Sequence, residues 1–323
     1  MGNKLITGAG GSIGQELSLQ IIESSPNDLI ILNDISEYSL FRVQNLLKQK
    51  GHSNFELLLG DCGDTFIQNL ISKKGIDQIY HSAAYKHVNL SKAMPQVYYR
   101  YNIKSFLSIL RFSQKNNTKL TLISTDKAVE PINPMGASKR FCEFIAIDAT
   151  NDGHPVTIVR FGNVINSSGS VIPLFKSQIE NGGPILLTDI NATRYFMSIS
   201  QAVKLVLVAS EMQPNTYILD MGMPVKILDV AYNVASEYGK RIVENPTSDN
   251  EISIKIIGLR EGEKLEESLT YNKIVNSENN AICVADENKK INKEFINQLI
   301  SKIDSGEEIE TNTVDWENGD WKI

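Results

Sequence analysis

Short apolar runs alternate with helically spaced segments through the first half of the chain. Residues 4–7 (KLIT) form a brief apolar run ending in glycines, and helical spacing follows from Ser12 to Glu23. Residues 29–33 (LIILN) are a continuous apolar run, the pattern of a strand buried on both faces. The alternation continues with a predicted helix at 37–50, strand at 55–59, helix at 64–73 and strand at 78–81. A helix over about 95–115, a strand at 119–124, a helix from Gly136 to Thr150 and a strand Val156–Arg160 complete it. Strand–helix alternation of this kind predicts an α/β, Rossmann-like doubly wound parallel sheet.

Beyond Asn163 the alternation loosens, punctuated by "SSGS" and "NGGP". The expected division is a nucleotide-binding domain over 1–165 with a returning segment at about 198–215. A smaller C-terminal substrate-binding lobe is expected over 166–197 and 216–285. Residues 286–323 are expected to form a C-terminal helix near 292–303 and an acidic tail. Trp316 and Trp321 lie in that tail, and because exposed indoles are poorly solvated, a docked tail is expected over a free one.

Composition narrows the function. A net charge of −6 over 323 residues argues against a nucleic-acid partner. Cys62, Cys142 and Cys283 show no metal-site or disulfide spacing, so no metal is expected and a reducing cytoplasm is the expected setting. No apolar run approaches bilayer length and no leader pattern is visible, so no membrane partner is expected.

The loop "ITGAGGSIGQEL" places Gly8, Gly11 and Gly14 between a predicted strand and a predicted helix. Glycines there let backbone N–H groups, with Ser12 and Ile13 opening the helix, approach a pyrophosphate at the helix N-terminus. Asp34 closes the second strand, where a carboxylate accepts from ribose hydroxyls and repels a 2′-phosphate. NAD, tightly held, is therefore expected over NADP. A helix N-cap role for Asp34 or Ser36 is compatible with that reading. Asp61, after the third strand, suits an adenine amino group or a plain N-cap. The small side chains of Ala83 and Ala84 would let the cofactor approach.

The segment "STDKAVEPINPMGASK" (124–139) resembles the catalytic segment of short-chain dehydrogenase/reductases, with Lys139 in place but Met135 where the family has Tyr. With "TGAGGSIG", "HSAAYKHV", "RFGNVINSSGSVIPLF", "TRYFM" and "GLREGEKLEE" in order, residues of about 3–270 resemble the extended members of that family. Among those members the chain resembles the nucleotide-sugar 4,6-dehydratases of bacterial polysaccharide biosynthesis. The Met variant is similar to the configuration-retaining N-acetylglucosamine type. In length and form the chain resembles the soluble GDP-N-acetylglucosamine dehydratases of legionaminic acid pathways.

The resemblance implies three stages: C4 oxidation, loss of water across C5–C6, and return of hydride to C6. It makes Asp126 the acid at O6 and Lys127 the base at C5, with Thr125 beside them and Lys139 on the nicotinamide ribose. A water in the space beside Met135, relayed to Asp126 or Thr125, would accept the O4 proton. Adjacent strand residues point to opposite faces, so the chain must have left the strand by Asp126. The bland alternative is a surface Asp–Lys pair with Met135 as core, in a non-catalytic NAD sensor; a 4-epimerase is the other rival.

On the substrate side, Lys86 and Asn163 are placed near the sugar, and Ser170 and Val171 in "SSGSVIP" near the hexose and diphosphate. Ordinary turn chemistry accounts equally for the latter. The resemblance assigns Arg194 and Arg260 to the diphosphate, which suits forked, permanently charged donors, and Glu263 to the nucleotide ribose; surface arginines are the alternative. The substrate is expected to be GDP- or UDP-N-acetylglucosamine. A homodimer through the helices near 95–115 and 136–150 is expected by analogy with the fold class.

Overall fold

The computed structural model describes residues 2–285 and 291–322; residues 286–290 and Ile323 of the expected C-terminal segment lie outside the described residues. Six parallel strands alternate with helices as the periodicity predicts. They are β1 (Asn3–Thr7), β2 (Ile30–Asp34), β3 (Phe55–Leu59), β4 (Ile76–His81), β5 (Lys119–Ile123) and β6 (Val156–Arg160). Three more, β7 (Thr216–Leu219), β8 (Ile274–Asn276) and β9 (Ile282–Ala285), extend the sheet to nine, in the order β8-β9-β7-β6-β5-β4-β1-β2-β3. β7 pairs parallel with β6, whereas β9 pairs antiparallel with both β7 and β8.

The helices of this sheet include α1 (Ser12–Ser24), α2 (Glu37–Gln49), α3 (Thr65–Ser72), α4 (Lys104–Asn116) and α5 (Pro134–Asn151). α2 and α3 start on side-chain caps from Ser36 and Asp64, and α5 on Asn133 with Pro134 in its first turn. The helix expected over about 95–115 is broken into a turn Pro95–Tyr98, a π-helical turn Tyr99–Ile103 and α4. Among the described residues no helix is long and apolar enough to cross a membrane.

The chain divides into two compact units, one of residues 1–161, 203–220 and 269–323, the other of 162–202 and 221–268. The expected boundaries were drawn at other residues. β7 and the 274–285 hairpin belong to the first unit, because β7 is wholly buried and completes the ladder on β6. The second unit has its own core, where Phe175 and Ile179 of the helix Val171–Glu180 meet Val230, Ala231 and Val234 of the helix Ile227–Glu237.

In the first unit α5 is buried almost throughout. Its Phe141 and Phe144 pack against Phe295 of the helix Lys293–Ser305, and Trp316 lies 5.0 Å from Phe141. The tail is thus docked, through a hairpin of Val314–Asp315 with Asp320–Trp321. The part of α5 that carries Phe141 and Phe144 is covered by the chain's own C-terminal segment.

Candidate active site

The strand order 3-2-1-4-5-6 reverses between β1 and β4, and the loops leaving their carboxyl ends open the crevice where doubly wound sheets bind ligands. There a cavity of about 300 Å³ is lined by Gly8, Gly11, Asp34, Asp61, Ala83 and Ala84, all expected from the sequence. Ser12 and Ile13 open α1 and Gly14 lies within its first turn, but none of the three lines the cavity. Asn33, Ser39, Cys62, Tyr101, Asn102 and Ser105 also line it, and pattern alone did not reveal them.

The glycines are required by close backbone approach. Gly8 has φ +69°, and a Cβ on it would lie 2.7 Å from the Ala83 amide nitrogen. On Gly14 a Cβ would lie 2.2 Å from the Gly8 carbonyl oxygen, and on Gly10 2.2 Å from Ser39 Cβ. Asp34 holds this turn to β2: Oδ2 accepts from the Gly10 amide and Oδ1 from that of Ser36, each at 2.9 Å. Asp61 accepts from the Gly63 amide at 2.7 Å, while the cap of α3 is Asp64. The first turn of α1 carries no acidic side chain, so its N–H groups can meet an anion. These features fit an extended dinucleotide.

Two buried ties fix the cavity walls. Thr7 Oγ1 and His81 Nδ1 share a hydrogen bond of 2.9 Å, and burial pushes the His81 pKa down to about 3, so the ring is neutral. Asn102, in the π-helical turn, accepts from the Tyr85 amide at 2.8 Å and donates to Ser138 Oγ at 2.9 Å, joining the 82–87 loop to α5. Lys86 is exposed on that loop.

After β5 the chain does leave the strand. Thr125 is extended, and Asp126–Ala128 form a 3₁₀ turn whose start accepts the Lys127 amide on Thr125 Oγ1. The turn brings two adjacent side chains together: Lys127 Nζ lies 2.9 Å from Asp126 Oδ1, which also accepts from Thr125 Oγ1 at 2.9 Å. Asp126 is fully buried and its Oδ2 has no hydrogen-bond partner among the described residues. Lys127 retains 18% side-chain exposure. The pair is not a surface salt bridge; it is a carboxyl and an amine in contact at a sheet's carboxyl edge.

Met135 is 5% exposed in the first turn of α5, and burial holds the Lys139 amine below its usual range. Gly136 abuts the turn so closely that a Cβ would lie 2.2 Å from the Lys127 carbonyl oxygen. None of Thr125, Asp126, Lys127, Met135 and Lys139 lines the cavity described above.

The remaining candidates lie in the second unit. Asn163 pairs through its backbone with Tyr195 and Phe196. Ser170 precedes Val171 at the start of its helix, its hydroxyl without a partner among the described residues. Arg194 is nearly buried and donates to the carbonyls of Thr193, Lys264 and Leu265. Glu263 lies 3.8 Å from it and accepts from the Arg260 amide. The structure therefore sets Arg194, on the strand Thr193–Arg194, against Glu263 of the 260–267 loop, with Arg260 exposed. Glu267, 3.9 Å from Arg194, is a neighbour that sequence reasoning missed. Among the described residues no His/Cys/Asp/Glu cluster could hold a metal ion.

Sheet order, glycine cradle and crevice define a Rossmann-like α/β protein of the extended short-chain dehydrogenase/reductase fold. The chain belongs to the polysaccharide biosynthesis protein family, whose model matches residues 4–287. It is 40% identical over 279 residues to the capsular polysaccharide biosynthesis protein CapD of Staphylococcus aureus, aligning 84% of this chain with 45% of that one. It thus spans about half the length of that relative. It is 33% identical to a UDP-glucose 4-epimerase of Rickettsia typhi, over 82% of this chain and 76% of the other. Among solved structures, Pen from Bacillus thuringiensis superposes with a TM-score of 0.74 at 29% identity, covering 83% of each chain. DesIV, a dTDP-glucose 4,6-dehydratase of Streptomyces venezuelae with NAD bound, superposes with a TM-score of 0.71 at 23% identity. It covers 83% of this chain and 88% of its own, and at that identity it speaks for the fold alone.

Proposed function

We propose that the protein is a hydro-lyase, an NAD-dependent nucleotide-sugar 4,6-dehydratase acting on GDP- or UDP-N-acetylglucosamine. The observation that carries this reading is the buried Asp126 carboxyl in 2.9 Å contact with the Lys127 amine. Elimination of water across C5–C6 needs a proton taken from carbon and another given to the departing hydroxyl, and an acid beside an amine supplies both. Lys127 takes the C5 proton and Asp126 protonates O6.

When bound, the nicotinamide supplies reversible hydride acceptance, from C4 and back to C6. Gly8, Gly11 and Gly14 admit its pyrophosphate, Asp34 selects an unphosphorylated ribose, and Lys139 holds the nicotinamide ribose. With Met135 in place of Tyr, the O4 proton leaves through water to Asp126 or Thr125. Lys86 and Asn163 contact the sugar. Ser170, Val171, Arg194 and Arg260 take the diphosphate, and Glu263 takes the nucleotide ribose.

Incubation of purified protein with each N-acetylglucosamine nucleotide, followed by mass spectrometry, should show loss of one water. Asp126→Asn should lower turnover by about 10²–10⁴-fold. Recovery of intact substrate from both nucleotides overturns the reading. Its rival is a 4-epimerase, favoured by the name of the Rickettsia relative. Deuterium from solvent entering C5, together with loss of the C6 oxygen, separates dehydration from epimerisation.

A further inference from the structure

We propose that Arg140 is a positioning residue for the Asp126–Lys127 turn, and that residues 291–322, beyond the family-matched stretch, hold Arg140 in that task. The catalytic side of this inference rests on the roles proposed above for Asp126 and Lys127. Arg140 is 1% exposed and sits one residue after Lys139 on α5. Its Nε donates to the Trp316 carbonyl at 3.1 Å and its Nη1 to Glu143 at 3.0 Å. The guanidinium carbon lies 4.5 Å from the Phe144 ring centroid and 4.8 Å from that of Tyr271.

Two of these partners grip the ends of the catalytic loop. Glu143, fully buried, accepts from Ser124 Oγ at 2.6 Å, immediately before Thr125. Tyr271 accepts through its hydroxyl from the Glu130 amide at 2.6 Å, two residues after the turn. Arg140 thus touches both anchors of residues 124–130.

Glu143 also takes two bonds from buried Arg160, at 2.8 and 2.7 Å, so two guanidinium groups share one carboxylate. Such a cluster keeps its geometry only if the surplus cation is matched by other acceptors and ring faces. The Trp316 carbonyl is one of them, and it comes from the docked segment. That segment is anchored independently, by Phe295 against Phe141 and Phe144 and by Trp321 against Phe295 at 4.9 Å.

The test uses the whole chain. Arg140→Leu removes the hub, and Trp321→Ala loosens the segment without touching the charge cluster. Both tryptophans lie in the segment, so their emission reports its docking. Hydrogen exchange should quicken about tenfold at residues 124–130 in both variants, with β5 unchanged. Turnover should fall about ten- to a hundredfold with KM within about threefold, since small misplacement of reacting groups acts on kcat. Arg140→Lys should recover part of it. Unchanged exchange at 124–130 in Arg140→Leu, or in a Trp321→Ala protein whose Trp316 emission has shifted to the red, overturns the proposal. If the wild-type protein turns over neither nucleotide but exchange responds as described, the dehydratase reading fails and the positioning of the turn stands.

Discussion

At Asp126 and Lys127 three residues of 3₁₀ turn accomplish what a strand cannot, bringing consecutive side chains into contact with each other. The neighbouring sheet end is organised by a histidine that stays neutral at neutral pH. His81 is neutral in the folded chain because burial has lowered its pKa from 6.5 to about 3. The unfolded chain binds a proton there over that interval and the folded chain does not. Stability from this residue is therefore complete above about pH 6.5 and falls by about 1.4 kcal/mol per unit as the pH drops toward 3. His81→Asn, which can keep a bond to Thr7, should lose that slope. Urea unfolding of both proteins between pH 7 and 5 measures the difference.

The contact between α5 and the 3₁₀ turn is set by a missing side chain. Gly136→Ala places a methyl group 2.2 Å from the Lys127 carbonyl oxygen, and backbone must give way. The expected cost is about 1–3 kcal/mol of stability, with a loss of turnover larger than any loss of cofactor affinity. Chemical denaturation and a cofactor titration check the two parts separately.

Elements of this kind were unevenly legible. β2 and β6 announce themselves because a strand buried on both faces reads as a nearly continuous apolar run, whereas β3 is half-exposed and was legible only from its place in the alternation. The π-helical turn at 99–103 left no mark, because its Tyr and Ile spacing is that of an ordinary helix. The hairpin at 274–285 was hidden for another reason: β8 is three residues long and exposed throughout, too short for a periodicity to show. α5 begins at Pro134, capped by Asn133, two residues ahead of the expected Gly136. The ties of Arg194 to three carbonyls were not readable, since a lone arginine in a sequence carries no sign of what it will meet.

Each of the two units has a hydrophobic core built from its own stretches of chain. Phe175 is 1% exposed in the core of the second unit. Phe175→Ala should cost that unit about 3–5 kcal/mol. Thermal-shift measurements should then show the stabilisation by nucleotide sugar lost and that by NAD kept.

The interleaving of these stretches also bears on how the chain is made. β6 is finished early in synthesis, but the neighbour on its free side, β7, begins only at Thr216, and the last two strands follow later still. Until then a nascent chain on the ribosome carries an open, apolar sheet margin, the kind of edge that invites pairing with the wrong partner. Premature termination anywhere between residues 161 and 215 should therefore yield fragments that aggregate.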